Sequence, residues 1–362
     1  MEMTIVLLII IVGVALLFEY INGFHDSANA ISMVVSTKAL SPRHAILYAA
    51  ILNFFGALCG THVAKTIGAG IVAHDSITQI VILAALLGAI VWNLITWYLG
   101  LPSSSSHALI GGLVGSAIMH TYLKTGNIGS YIIKFPPFSF VSEGTPFSVV
   151  NGTNLLDKVL IPMVTSPVLG FIVGFIIVFF IIRSFYKVRP EILNKNFRKM
   201  QIISSGFLAF SHGSNDAQKT MGMITLSLIT FGLIDGSDFH IPLWVICACA
   251  LTMALGTMTG GWKIIKTLST KVAQIKPPQG FSVEMAAASI ILTASHFGFP
   301  VSTTHITSAA VMGVGTMSKP KSVKWGTVKN ILLAWIITIP VCMVIAAFMY
   351  FLLEKTPIAD VL

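Results

Sequence analysis

The sequence predicts an all-α protein that crosses a membrane several times, and three observations support this prediction. Of the 362 residues, 55% are hydrophobic and 10% are charged. Several apolar runs are long enough to cross the hydrocarbon core of a bilayer, which takes about 20 helical residues. Two polar motifs recur at similar distances in the two halves of the chain. Helices are expected because their backbone hydrogen bonds are satisfied internally, as lipid requires.

The apolar runs divide each half of the chain into three spanning units and one hairpin. The runs occupy residues 3–36, 45–61, 77–120, 160–182, 201–231, 241–260, 281–317 and 330–353. Two of them contain a proline, Pro102 or Pro300, near the middle, where a helix is expected to end and the chain to turn back. The sequence therefore predicts two helical hairpins and about 10 to 12 membrane segments.

Two motifs occur once in each half. The first places a glycine three residues before an aspartate, at Asp26 and Asp216. The second is a proline followed by hydroxyl residues and a histidine, at 102–107 and 300–305. The copies lie 190 residues apart at the aspartates (216 minus 26) and 198 apart at the histidines (305 minus 107). A duplication with small insertions explains these spacings.

An odd number of crossings in each half would turn the second copy upside down relative to the first. Residues 1–182 are predicted as the first inverted repeat, with an extracytoplasmic insertion at about 121–159. Residues 183–200 are predicted as a basic cytoplasmic linker, and 201–362 as the second repeat.

The distribution of lysine and arginine favours this orientation. If the linker is cytoplasmic, 16 of these residues fall inside and 5 outside, while Lys219 lies at membrane depth. Short cytoplasmic loops carry the excess of basic residues in most membrane proteins. The sequence therefore predicts a multi-pass membrane protein with both termini extracytoplasmic. The net charge of +9 is attributed to this orientation, and no nucleic-acid partner is expected.

Both motifs are predicted to interrupt membrane helices. A helix broken at the glycine–aspartate motif and a hairpin broken at the proline motif match transporters whose discontinuous helices meet near the bilayer centre. A helix that begins just after Pro102 or Pro300 presents unpaired N–H groups and its positive dipole end, which suit an oxyanion. The hydroxyl donors expected there are Ser104, Ser105, Ser106, Ser302, Thr303 and Thr304.

Asp26 and Asp216 are predicted to bind the coupling cation or proton. A carboxylate within the membrane is costly unless it has a partner or lines a pathway, so a functional role is the default interpretation. Bare carboxylates would repel an anion, whereas neutralised ones would favour binding of anion and cation together, which is symport. The structural alternative is that they cap the broken helices.

Other polar residues near the motifs are candidate contacts. Lys219 is expected either to form a structural ion pair with Asp216 or to reach the anion. Candidate amide contacts to the anion are Asn29, Asn215 and Gln218. Candidate proton-relay residues are His107, His305 and Glu19, with interior structural histidines as the alternative.

Four stretches also carry a family resemblance. They are residues 21–30, 92–107, 210–219 and 299–305. They resemble the PiT family of inorganic phosphate transporters, and are most similar to its bacterial low-affinity branch. The resemblance implies a secondary symporter for phosphate in the inner membrane, in which Asp26 and Asp216 match the family's functional aspartates.

The resemblance also bears on the coupling ion. The first motif reads Gly-Phe-His-Asp, where sodium-coupled members typically have Gly-Ala-Asn-Asp, and Asn53 and Met253 occupy places where animal members carry glutamate. This favours the branch that takes up a proton with neutral metal phosphate. Sodium coupling, co-transported Mg²⁺ or another divalent metal, and sulfate or another oxyanion as substrate stay open. No cofactor is implied; the expected partners are phosphate, the coupling cation and the bilayer, with a homo-oligomer open.

Two other classes of protein match parts of the pattern less well. An intramembrane hydrolase using Ser106 and His107 would need these adjacent side chains to converge, yet they point about 100° apart on a helix. The pair also recurs as Thr304 and His305, a duplication that one active site does not need. An anion channel would use hydroxyl rings, but inverted halves favour alternating access. The sequence therefore predicts a transporter that is not an enzyme.

Overall fold

The protein is described by a computed structural model that covers residues 2–72, 76–126, 149–236 and 239–356. Across these residues the regular structure is helical, apart from an isolated bridge between Val72 and Val150. The helices are α1 (Glu2–Ser36), α2 (Pro42–Ala57), α3 (His62–Gly70), α4 (Gln79–Leu99), α5 (Ser105–Thr125), α6 (Gly152–Leu155), α7 (Ile161–Ser184), α8 (Pro190–Thr230), α9 (Leu243–Thr259), α10 (Trp262–Lys266), α11 (Pro277–His296), α12 (Thr303–Ser318) and α13 (Trp325–Glu354).

The predicted all-helical, multi-spanning fold is confirmed. By length and composition, α1, α4, the α6–α7 stretch and α13 can each cross a membrane. Two bent pairs, α2 with α3 and α9 with α10, meet the same test when each pair is taken together, which raises the number of such spans to six. Among the described residues, ten helices are 16 residues or longer, and these include both arms of each predicted hairpin.

The helices that carry the two aspartates are continuous, so the prediction of a break at the glycine–aspartate motifs is wrong. The motif glycines instead allow another helix to approach closely. A Cβ atom on Gly23 would lie 2.6 Å from the carbonyl oxygen of Met253, and one on Gly213 would lie 2.2 Å from that of Asn53. These distances are too short for a side chain, so α1 packs backbone to backbone on α9, and α8 does so on α2.

The helix breaks lie one element further along the chain. The axis bends by 72° between α2 and α3 and by 60° between α9 and α10. Gly60 and Gly260 occupy these breaks with φ of +95° and +74°, a backbone conformation that glycine adopts readily and other residues rarely do. Broken helices are therefore present, at paired glycines and not at the aspartates.

Part of the predicted 183–200 linker is helical. Helix α7 ends at Ser184 and α8 begins at Pro190, so residues 190–200 of the predicted linker are helical. Proline is favoured at the first position of a helix because its missing N–H would be unpaired there in any case. Residues 127–148 of the predicted 121–159 insertion lie outside the described residues. The end of the same insertion contains α6, which continues through a π-helical stretch into α7.

Each hairpin packs against a helix from the other half of the chain. A Cβ atom on Gly115 of α5 would lie 2.2 Å from the carbonyl oxygen of Met343 in α13. A Cβ atom on Gly170 of α7 would lie 2.7 Å from that of Ile306 in α12. Small residues at helical spacing allow this approach in membrane proteins. Each hairpin is thereby covered by a helix from the other half.

Candidate functional site

The two hairpin tips and the two aspartates meet at one buried point. Ser106 Oγ at the first tip donates to the carbonyl oxygen of Val301 at the second, over 3.3 Å. A carboxylate oxygen of Asp26, one of Asp216 and a ring nitrogen of His212 all lie within 4.8 Å of one another. All three of these side chains are buried. The structure thus brings the two aspartates together, although nearly two hundred residues separate them.

The duplicated hydroxyl residues begin the two returning helices. The side chain of Ser104 accepts a hydrogen bond from the backbone N–H of His107 over 3.2 Å, and Ser302 accepts one from His305 over the same distance. These are N-cap contacts, which satisfy one of the unpaired donors at each helix start. Both serines therefore fix the two helix starts, and the hydroxyl groups after them are the ones that reach the aspartates.

Asp26 accepts hydrogen bonds from both hairpin tips. Ser105 Oγ donates to its Oδ2 over 2.5 Å, and Thr304 Oγ1 donates to its Oδ1 over 3.2 Å. His25 Nδ1 lies 2.7 Å from Oδ1 of the same carboxylate. The amide of Asn29 donates to Thr304 Oγ1 over 2.8 Å, so this predicted contact residue is in the site.

Asp216 has a cation beside it as well as a hydroxyl donor. Lys219 forms an ion pair with it one turn along α8, and Thr303 Oγ1 donates to its Oδ2 over 2.9 Å. His212 Nε2 lies 3.0 Å from the same oxygen. The Lys219 ammonium also donates to Ser106 Oγ, at the first tip. Of the two interpretations of Lys219, the ion pair is therefore present, and its ammonium also touches the hydroxyl cluster.

Two predicted amide contacts are engaged elsewhere. Asn215 Nδ2 donates to Ser295 Oγ over 2.9 Å, on α11. Gln218 Oε1 accepts from the backbone N–H of Val63 over 2.8 Å, at the start of α3. Both side chains flank Asp216 along α8, but their hydrogen bonds lead away from the aspartate pair.

The predicted relay residues form contacts of their own. The rings of His107 and His305 lie 4.7 Å apart, and His305 stacks on Trp335 at 4.0 Å between ring centroids. Neither histidine side chain has a hydrogen bond to an aspartate in the described structure. Glu19 is buried and accepts a hydrogen bond from Thr220, at the contact of α1 with α8.

Sequence reasoning did not place three buried titratable residues that the structure singles out. His25 and His212 each lie against one aspartate, and His212 is held by Asn53 Oδ1 at 3.1 Å from its other nitrogen. Glu284 of α11 accepts a hydrogen bond from Ser204 Oγ over 2.5 Å. The two histidines do not align between the repeats, so the duplication gave no reason to select them. Glu284 is a lone acidic residue in an apolar run, and that signal could have selected it.

The arrangement suits a cation and an anion bound side by side. Two carboxylates and one lysine ammonium leave the site with one net negative charge when the imidazoles are neutral. Carboxylate oxygens and an imidazole nitrogen are ligands for hard or borderline cations. The hydroxyl groups and the backbone N–H groups at the two helix starts can donate hydrogen bonds to an oxyanion.

The fold and the buried polar site define a class, that of helical membrane transporters built with interrupted helices and hairpins. The sequence pattern of the phosphate transporter family matches residues 22–194 and 187–346 of the chain. The chain belongs to this family. It is therefore a phosphate transporter and not an enzyme.

Several proteins are similar to this chain over nearly its whole length. A "Probable low-affinity inorganic phosphate transporter" of Bacillus subtilis is 44% identical over 98% of this chain and 99% of its own length. A Rhizobium meliloti protein with the same description is 41% identical over 95% of this chain and 96% of its own length. A solved structure, "The sodium-dependent phosphate transporter", superimposes with a TM-score of 0.80 over 96% of this chain and 99% of that one. At 24% sequence identity, this likeness concerns the fold.

Proposed function

We propose that the protein is a secondary active symporter that imports inorganic phosphate across the cytoplasmic membrane, driven by a proton gradient. The observation that carries this proposal is the meeting of Asp26 and Asp216, within 4.8 Å, beneath two hairpin tips lined with hydroxyl groups. The membrane orientation predicted from the basic residues, with inverted repeats and both termini outside, is part of the same proposal.

Electrostatics explain why the anion should need a cation. At about 5 Å and an effective dielectric constant of about 20, two unit negative charges repel each other by roughly 3 kcal/mol. Phosphate would meet this repulsion from the uncompensated carboxylate. A proton or metal ion bound at the aspartate pair removes it, so the two ligands bind best together.

The hydroxyl groups supply a second link between the two ligands. Each hydroxyl has one hydrogen to donate. Those of Thr303 and Thr304 are donated to the aspartates, and that of Ser105 is shared between Asp26 and the amide oxygen of Asn22, 2.6 Å away. A carboxylate that is protonated or bound to a cation accepts these bonds less strongly. The donors can then turn to the phosphate oxygens, so neutralising the aspartates both removes repulsion and frees donors.

Uptake into proteoliposomes tests this proposal. We expect Asp26→Asn and Asp216→Asn to abolish phosphate accumulation while membrane insertion is kept, because each change removes the charge that binds the coupling cation. Asp157→Asn, at an exposed acidic residue before α7, is the matched control and should accumulate phosphate normally. Normal accumulation by both site variants would contradict the assigned role, and downhill flux without accumulation would indicate a channel.

The coupling ion is tested by imposing proton, sodium and Mg²⁺ gradients one at a time. Uptake driven by the proton gradient supports the proposal. Uptake that requires sodium supports the alternative, which is worth testing because the structurally similar transporter is described as sodium-dependent. Dependence on Mg²⁺, with metal entering alongside phosphate, would identify neutral metal phosphate as the substrate, and sulfate in competition tests anion selectivity.

A further inference from the structure

A cavity of about 510 Å³ opens between α8, the end of α11 and the break between α2 and α3. Its lining includes Cys59, His62, Ser214, Gln218, Ser295 and His296. The set contains hydroxyl, amide and imidazole groups and no carboxylate. Such a surface suits an approaching oxyanion because it offers donors and no negative charge.

The floor of this cavity lies along the second hairpin. Ser214 and Gln218 line the cavity from the face of α8 about 200° from Asp216, because residues two apart on a helix point to nearly opposite sides. Asn215 lies between these two faces, and its amide donates to Ser295 Oγ, in the lining, over 2.9 Å and to the carbonyl oxygen of Phe299 over 3.2 Å. The hairpin tip that follows Phe299 carries the hydroxyl that binds Asp216. A route from the cavity to the aspartate pair would therefore pass Asn215 and this hairpin tip.

The corresponding place in the other half is filled by aromatic rings. The 190-residue spacing of the aspartates pairs Ser214 with Phe24, and the 198-residue spacing of the hairpins pairs Ser295 with Trp97. The rings of Phe24 and Trp97 pack edge to face with centroids 5.5 Å apart. Lys263 Nζ lies over the Trp97 ring at 5.4 Å from its centroid. Two small serines line the open side, and two large rings occupy the equivalent positions on the other.

We propose that this cavity is the entrance through which the anion reaches the aspartate pair, and that Phe24 and Trp97 close the equivalent entrance on the opposite side. The inference rests on the proposed transport function and adds its route. The basic-residue distribution predicts the cavity side, which carries Lys65, to be extracytoplasmic. The conformation described is then one open outwards, as the first step of import requires.

Thiol labelling tests the entrance without measuring transport. The native Cys59 lines the cavity and is exposed, so a protein with Cys247, Cys249 and Cys342 changed to serine carries one thiol at the entrance. The matched control replaces Cys59 by serine and adds Thr259→Cys, the equivalent position 200 residues later. In intact cells we expect a membrane-impermeant thiol reagent to modify Cys59, to do so more slowly with saturating phosphate, and to leave the Thr259→Cys protein unmodified.

A deeper probe and two refuting outcomes complete this experiment. Ser295→Cys, made in the cysteine-free protein, should also react from outside because it lies at the cavity floor. If the reagent modifies the Thr259→Cys protein from outside and reaches Cys59 only in inside-out vesicles, the entrance is on the opposite side of the membrane. If phosphate does not change the rate at which Cys59 is modified, the cavity is unrelated to the anion. Either outcome overturns the inference while phosphate uptake, measured separately, decides the proposed function.

The closing rings are tested by a reciprocal substitution. Trp97→Ser gives the closed half the residue that the open half has at that position. Efflux of preloaded phosphate from proteoliposomes should rise by roughly threefold to tenfold, the range expected when one aromatic pair is lost. Tyr98→Ser, at the adjacent ring, which is 70% exposed, is the control and should leave efflux unchanged. Unchanged efflux in folded Trp97→Ser, or an equal rise in the control, would overturn the assignment of the gate.

Discussion

The ion pair between Lys219 and Asp216 allows a test of the electrostatics of the site. Both side chains are buried, so replacing the lysine by methionine leaves a carboxylate without its cation in the protein interior. Breaking a buried pair in this way costs about 3–5 kcal/mol of unfolding free energy, whereas replacing both charges by neutral groups of similar size is often nearly neutral. Thr303 and His212 remain beside the carboxylate and should reduce the loss of unfolding free energy in the Lys219→Met variant.

The expected result is non-additive. Lys219→Met should lower the stability of the detergent-solubilised protein by a few kcal/mol, and adding Asp216→Asn should restore roughly half of that loss or more, since the lone charge disappears. Thermal unfolding of the single and double variants measures this, with Lys65→Met, at an exposed lysine, as the control. A double variant less stable than the Lys219→Met protein would refute the reasoning, because it would mean that the two residues contribute independently.

Two further predictions concern packing and hydrogen bonding. Gly115→Ala should destabilise the folded protein in a thermal unfolding assay, because its Cβ atom would lie 2.2 Å from a carbonyl oxygen of α13. Gly13→Ala is the control and should not destabilise the protein, because a Cβ atom there would have no neighbour within 4 Å. Equal stability of the two variants would contradict the close packing. Thr303→Val should lower kcat/KM for phosphate by about tenfold or more, because it removes the donor that the proposal turns from Asp216 to a phosphate oxygen. A hydrogen bond to a charged group is worth roughly 1.5–3 kcal/mol. Thr307→Val is its control, since that buried hydroxyl has no hydrogen-bond partner in the described structure. An equal loss of kcat/KM in both variants would contradict a specific role of the Thr303 hydroxyl.

The duplication explains why so much of the site could be predicted from the sequence. Repetition of the Asp26 motif at Asp216 indicated that the two acids meet, and the repeated proline motifs located both hairpin tips. Composition and the length of the apolar runs predicted the helices. These signals are local or periodic, so they are visible in one sequence.

What could not be predicted depends on which groups meet across the fold. The glycine before each aspartate was expected to break a helix, but in the structure it lets a neighbouring backbone approach, as Gly213 does against Asn53. Sequence alone does not distinguish these two uses of glycine. It also could not show that Thr303 binds Asp216 while its neighbour Thr304 binds Asp26, because this depends on how the second hairpin tip is rotated between the two aspartates.

The exchange of helices between the halves has a consequence for biogenesis. Helix α13 is synthesised last, yet it covers the glycine face of α5, more than 200 residues earlier in the chain. Until the ribosome has finished, that face has no native neighbour, and a nascent chain truncated after α7 would display it to lipid, chaperones or proteases. Split genes encoding the two halves should therefore yield stable protein when co-expressed, and little when either is expressed by itself.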